Sequence, residues 1–231
     1  YRLAQAVSFS NSFIKNASEL SGDEVNVFIA EARFLRAYAY YNLLDLYGNV
    51  PLTTEISTEL PTQSNRTELF NFIESELMEI ETILLASNEY GRVDNIAAHA
   101  LLSRLYLNAE AWTGQDRYAD CITYSQNVIN SGYSLNMNDA NGNGTAYDEL
   151  FMADNDINGA QNEFIFTLNF DGMQSQTYGG TTFLVHAAIG GSMNPGNFGV
   201  NGGWGGLRTT KNLVNQFAAV SYTHLRAHET T

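Results

Sequence analysis

Apolar residues recur at three- and four-residue spacing through much of the first 131 positions. Between 22 and 47 they fall at Phe28, Ala32, Leu35, Ala39, Leu43 and Leu46, which is the period of one helix face. Phe34, Tyr38 and Tyr41 add a second apolar face. A helix apolar on two faces is expected to lie between neighbours, as in a helical solenoid. Gly48 and Pro51 punctuate its end. A helix is predicted before it, over 1–18, with Ser21 as the cap of the second. Leu69, Ile73, Leu77, Ile80 and Leu84 predict a third helix over 67–87. Asn65 followed three residues later by Glu68 reads as its capping box. Glu74, Glu76, Glu79 and Glu81 read as its solvated face.

Two further helices are predicted over 94–111 and 117–131, joined by the turn Thr113-Gly114-Gln115. The pair resembles a tetratricopeptide hairpin, with small Ala109 near the end of the first helix and Tyr118-Ala119 opening the second. Tyr106 and Tyr124 are placed to fill the space between the helices, and Trp112 to pack at a helix end. After Gly132 the pattern changes. Asn, Gly and Asp dominate as far as Asn162. Residues 163–170 (EFIFTLNF) alternate and predict a strand. Residues 179–206 are rich in Gly, Asn and aromatics and read as loops, where binding sites concentrate. The expected architecture is mostly α: a tetratricopeptide-like helical-repeat scaffold with a loop-rich region and a few short strands. One domain over 1–219 is expected, helical hairpins over 1–132 and the loop-rich part over 133–219.

Composition narrows the chemistry. The net charge is −14 and the sequence pI about 4.5. No Lys/Arg cluster offsets this, so a phosphate backbone is repelled and nucleic acid is excluded as the expected ligand. Neutral sugars and divalent cations stay open. Cys121 is the single cysteine, which excludes an internal disulfide and a cysteine zinc site; its apolar helical context predicts a small buried residue. No run is long and apolar enough to span a membrane as a helix. The chain begins at Tyr1 rather than Met, so its true start is expected upstream and no targeting segment can be read. Residues 221–230, SYTHLRAHET, look like translated adapter sequence, and 220–231 is set aside as a non-native tail. His224 and His228 within it stand four apart but lack the glutamate of a zinc-binding H-E-x-x-H helix.

Residues 31–51, EARFLRAYAYYNLLDLYGNVP, resemble the signature helix of the SusD/RagB family. The similarity continues through 67–81 and 91–114, through ELFMADND at 149–156, YGGTTFLV at 178–185 and NGGW at 201–204. The resemblance implies a glycan-binding, non-catalytic lipoprotein on the outer membrane. It implies a lipid anchor on a cysteine preceding Tyr1, further ligand contacts before Tyr1, helices following Phe217, and a TonB-dependent transporter as partner. Starch and maltooligosaccharides are the ligands of the members it resembles most.

Sugars offer hydroxyls for directional hydrogen bonds and a C–H face that packs on an aromatic plane. Tyr178 and Trp204 are the candidate glycan-binding residues. Both lie in glycine-rich loops that let a ligand approach, and by resemblance both match aromatic starch-contacting positions of the family. The alternative is that each packs over the scaffold. Asp154-Asn-Asp156-Ile-Asn158-Gly159 follows the first half of an EF-hand loop, but the twelfth position is Ile165 and Glu163 falls two residues early. By resemblance Asp156 matches a calcium ligand; without it, Asp156 caps a turn. Asp139-Ala-Asn141-Gly-Asn143-Gly144 is a weaker copy and reads as a loop.

Nothing in the sequence sets up catalysis. Asp154, Asp156 and Asp171 supply carboxylates without a glycosidase motif, and there is no G-x-S-x-G, P-loop or dinucleotide fingerprint. His99 reads as a packing or salt-bridged residue, and His186 as a neighbour of the ligand face without assigned chemistry. Two readings stay open: delivery of surface oligosaccharides to a transporter, or a helical-repeat scaffold that binds a protein without sugar recognition.

Overall fold

The computed structural model describes residues 2–170, 173–174, 178–215, 217–219 and 225–227. Asp171, His224 and His228 lie outside the described residues, as does the 220–231 tail apart from 225–227. The chain divides into a helical unit, residues 1–168, and a second unit, residues 169–231.

The helical unit contains α1 (Arg2–Ala17), α2 (Asp23–Tyr47), α3 (Arg66–Ile80), α4 (Asn95–Leu107), α5 (Ala109–Thr113) and α6 (Tyr118–Ile129). α1 packs on α2, α2 on α3, α3 on α4, and α4 on α6. This is the expected row of paired helices. α2 stops at Gly48, whose φ of 75° suits glycine and whose N–H bonds the Leu44 carbonyl. A short antiparallel ladder, β1 (Val50–Pro51) against β2 (Gln63–Ser64), leads to α3. At Asn65 the capping box forms in both directions: the Asn65 side chain accepts from the Glu68 N–H at 3.0 Å, and Glu68 accepts from the Asn65 N–H at 2.9 Å.

Several sequence expectations shift. On α2 the buried arc is Phe34, Ala37, Tyr40, Tyr41 and Leu44. Leu35 and Leu46, assigned to the first apolar face, are 40% and 63% exposed. Leu35 and Phe28 instead line a shallow apolar groove with Phe9 and Phe13 of α1. α3 ends at Ile80 rather than near 87, though Leu84 stays buried beneath the following turn. The helix expected over 94–111 breaks at Asn108 into α4 and α5.

The α3 glutamates are not a solvated face. α3 lies between α2 and α4, so both of its flanks meet protein. Glu76, only 7% exposed, accepts from Arg36 at 2.6 Å and Arg33 at 2.7 Å; Arg36 also donates to Asn11 Oδ1 at 2.8 Å. These bonds tie α1, α2 and α3 together. Two residues earlier and on the other flank, Glu74 accepts from the Tyr106 hydroxyl at 2.9 Å and pairs with Arg117 at 2.8 Å. Glu81 Oε2 lies 3.3 Å from His99 Nε2, and the His99 ring packs edge-on to Tyr124 at 5.4 Å. Glu79 alone keeps a largely exposed side chain, and it too pairs with Arg33.

Tyr106 and Tyr124 meet between α4 and α6 with ring centroids 5.6 Å apart, and Trp112 packs edge-on against Tyr41 at 5.7 Å. Cys121 is half-buried rather than buried, beside Ser103. Residues 163–170 form no strand. Ile165 and Phe166 pack on the helical core, Phe166 edge-on to Phe34 at 5.2 Å and to Tyr38 at 5.9 Å. Consecutive apolar residues thus seal the core where alternation suggested a sheet. The 139–144 segment is the expected loop: Asp139 accepts the N–H groups of Asn143 and Gly144 at 3.1 and 2.8 Å. Buried Glu149 staples this region by accepting the Asn141 N–H at 2.7 Å and Asn158 Nδ2 at 3.0 Å.

The second unit holds α7 (Gly180–Ala188), α8 (Lys211–Val214), and β3 (Phe217–Ala219) paired antiparallel with β4 (Leu225–Ala227). α7 replaces part of the expected glycine-rich loop.

Candidate functional site

α7 begins at Gly180, where φ is +59° and a Cβ would lie 2.3 Å from the Phe170 ring. Only glycine meets both conditions without displacement. From there to Gly190 the sequence TTFLVHAAI contains no helix breaker. The helix ends after Ala188, leaving carbonyls without helical partners. The glycine-rich segment 201–207 supplies them: Trp204 N–H donates to His186 O, Gly205 N–H to Ile189 O and Leu207 N–H to Ala187 O, each at 2.8 Å. Ala187 and Ile189 are buried beneath this strap.

The glycines permit that docking. A Cβ on Gly203 would stand 2.4 Å from the Ile189 carbonyl oxygen, and one on Gly190 would stand 2.8 Å from Gly205 Cα. Backbone therefore lies directly on backbone. Trp204 is fixed at its main chain while its ring remains 45% exposed.

Three rings gather at Trp204. Tyr178, 84% exposed, lies 6.3 Å away at an interplanar angle of 53°. Phe183 lies at 6.3 Å and 54°. His186 stacks at 4.9 Å and 29°. The structure thus brings the two sequence-predicted aromatics together as inclined, exposed plates. Such plates suit the C–H faces of successive rings in a curved oligosaccharide. The sequence places His186 beside the ligand face without chemistry and passes over Phe183, because the segment reads as loop. The signal was present: Thr182/His186 and Phe183/Ala187 stand four apart between Gly180 and Gly190, the spacing of one helix face.

Asp156 belongs to the helical unit, exposed in a turn where the Asp154 carbonyl accepts the N–H groups of Ile157 and Asn158 at 2.9 and 3.0 Å. Among the described residues no group of three or more His, Cys, Asp or Glu could hold a metal ion. A single exposed carboxylate does not make the six- to eight-oxygen cage that calcium takes.

Residues 5–107 match the SusD-like family model described as starch-binding and associating with the outer membrane. The chain is 36% identical over 219 residues to the starch-binding protein SusD of Bacteroides thetaiotaomicron, a match covering 94% of the chain and 38% of that relative. The chain thus spans less than half the length of the curated relative it matches. Among solved structures, one crystallised with a xylogluco-oligosaccharide superposes with a TM-score of 0.68 at 25% identity, over 81% of this chain and 38% of that one. A SusD-like protein of Bacteroides fragilis gives 0.58 at 26% identity, over 71% and 31%. A laminarin-binding SusD-like protein gives 0.57 at 26% identity, over 68% and 34%.

Proposed function

The chain belongs to the SusD-like family, and on that premise we propose that it binds oligosaccharides at the cell surface without cleaving them. The ligands it favours are starch-like maltooligosaccharides. Bound glycan passes to a TonB-dependent transporter in the outer membrane, where a lipid anchor holds the full-length protein. The observation that carries this reading is the inclined, exposed Tyr178–Trp204 pair, in which Trp204 sits on a strap whose own backbone is fixed. Exposed aromatic planes on a rigid support are what a sugar face needs. Relatives named for binding starch, laminarin and a xylogluco-oligosaccharide support the same ligand class.

Isothermal titration with maltoheptaose tests it. Each of Tyr178→Ala and Trp204→Ala should weaken binding about tenfold, the scale of one lost stacking contact. The double variant should bind below detection. Full affinity in the double variant would place the glycan elsewhere, and glucose or shorter chains appearing in the cell would make the protein an enzyme.

A second reading has one observation in its favour. The groove between α1 and α2 exposes Phe9, Phe13 and Leu35, an apolar surface of the kind proteins use to bind one another. Failure of every oligosaccharide to bind, with retained folding, would turn attention to that scaffold role.

A further inference from the structure

We propose that His186 is a second recognition group of this site, holding Trp204 in place and offering Nε2 to a sugar hydroxyl. The proposal rests on the oligosaccharide reading above.

His186 grips Trp204 twice. Its carbonyl accepts the Trp204 N–H at 2.8 Å, which fixes the tryptophan backbone. Its ring stacks on the indole at 4.9 Å, which covers one face of the side chain. The imidazole is itself held, because Nδ1 lies 2.9 Å from the Thr182 carbonyl. A carbonyl oxygen can only accept, so Nδ1 carries the hydrogen. In the neutral ring Nε2 is then the acceptor, with the tautomer set by the helix rather than by the ligand. Among the described residues no group bonds Nε2, and the residue is half-buried rather than enclosed.

One pyranose lies on the free face of the indole through its C–H face, and the neighbouring sugar of a curved chain passes the edge of the platform, where its hydroxyls can face Nε2. The same His186 side chain therefore serves both halves of sugar recognition: its plane supports the stacking surface, and its edge bonds a hydroxyl.

The chain has two tryptophans, Trp112 and Trp204, so Trp112→Phe in the full chain leaves Trp204 as the sole emitter. In that parent, His186→Phe keeps a ring to stack on but lacks Nε2. Its emission maximum should match the parent's, while its maltoheptaose affinity falls about three- to tenfold, the worth of one hydrogen bond. His186→Ala loses both functions and should shift the emission to the red and bind more weakly still. A parent that binds maltoheptaose no more tightly than His186→Phe overturns the hydroxyl contact, and a His186→Ala emission maximum equal to the parent's overturns the stacked geometry. A parent that binds no maltoheptaose sinks the oligosaccharide reading itself, and the hydroxyl role with it.

Discussion

The two units put the same kinds of side chain to opposite uses. In the helical unit Phe34, Tyr40 and Tyr106 are almost fully buried, and the two tyrosine hydroxyls find protein partners, Thr53 for Tyr40 and Glu74 for Tyr106. In the second unit Tyr178 stands largely in solvent and Trp204 is nearly half exposed. The helical rings are held by neighbours on every side, because three-four spacing puts one helix face against another. Trp204 is held by the backbone bonding between the strap and the end of α7, possible only where glycine lets two main chains touch, and by the His186 ring against one face. Burial confers stability in one unit, and main-chain rigidity keeps a surface available in the other.

The comparison breaks hardest at Glu76. Its carboxylate compensates Arg36, which is also buried, and bonds Arg33 as well. Glu76→Ala leaves a guanidinium charge inside the helix row, at an expected cost of about 3–5 kcal/mol. Urea denaturation followed by far-UV circular dichroism measures it. A loss below about 1 kcal/mol would mean that Arg36 reaches water easily and that the helical unit is held by its apolar contacts alone.

Gly203→Ala attacks the other support. The added methyl would stand 2.4 Å from the Ile189 carbonyl, so the strap must lift from α7 and carry Trp204 with it. Maltoheptaose affinity should drop at least about tenfold, while the far-UV signal, which comes mainly from α1 to α6, stays near that of the parent. Unchanged affinity would show that Trp204 keeps its position without the strap.

How much of this was legible in the sequence follows from the same contrast. The helical hairpins were readable because each buried side chain repeats at a helix period, and the Asn65/Glu68 box marked a boundary correctly. The fate of Glu76 was hidden, since a glutamate between two helices and one facing water look alike until the partners Arg33 and Arg36 are placed, some forty residues away. The 163–170 alternation misled because Ile165 and Phe166 close a core instead of joining a sheet. In the second unit Tyr178 and Trp204 stood out as aromatics among glycines. What fixes Trp204 did not: it is a set of main-chain bonds to carbonyls of His186, Ala187 and Ile189, and main-chain bonds carry no side-chain code.

The smallest expected effect tests the inward side of the contrast through proton binding. Tyr124 sits between Tyr106 and His99, with centroids at 5.6 and 5.4 Å. Burial, and after it the negative charge of Glu81, pushes its phenol up to about 12, against about 10 in an unfolded chain. Below pH 10 both states keep the proton, so the contribution to stability is fully present. Between about 10 and 12 the unfolded chain loses its proton while the folded protein keeps it, so stability falls as pH rises. The Tyr106 phenol is raised by burial and by Glu74, and that of Tyr133 by burial and by its bond to Asp94, so both add to the slope. Tyr124→Phe has no phenol to lose. Its urea midpoint should therefore decline less than the parent's between pH 9 and 11, and an equal decline would mean that this ring is not held inward as the helix row requires.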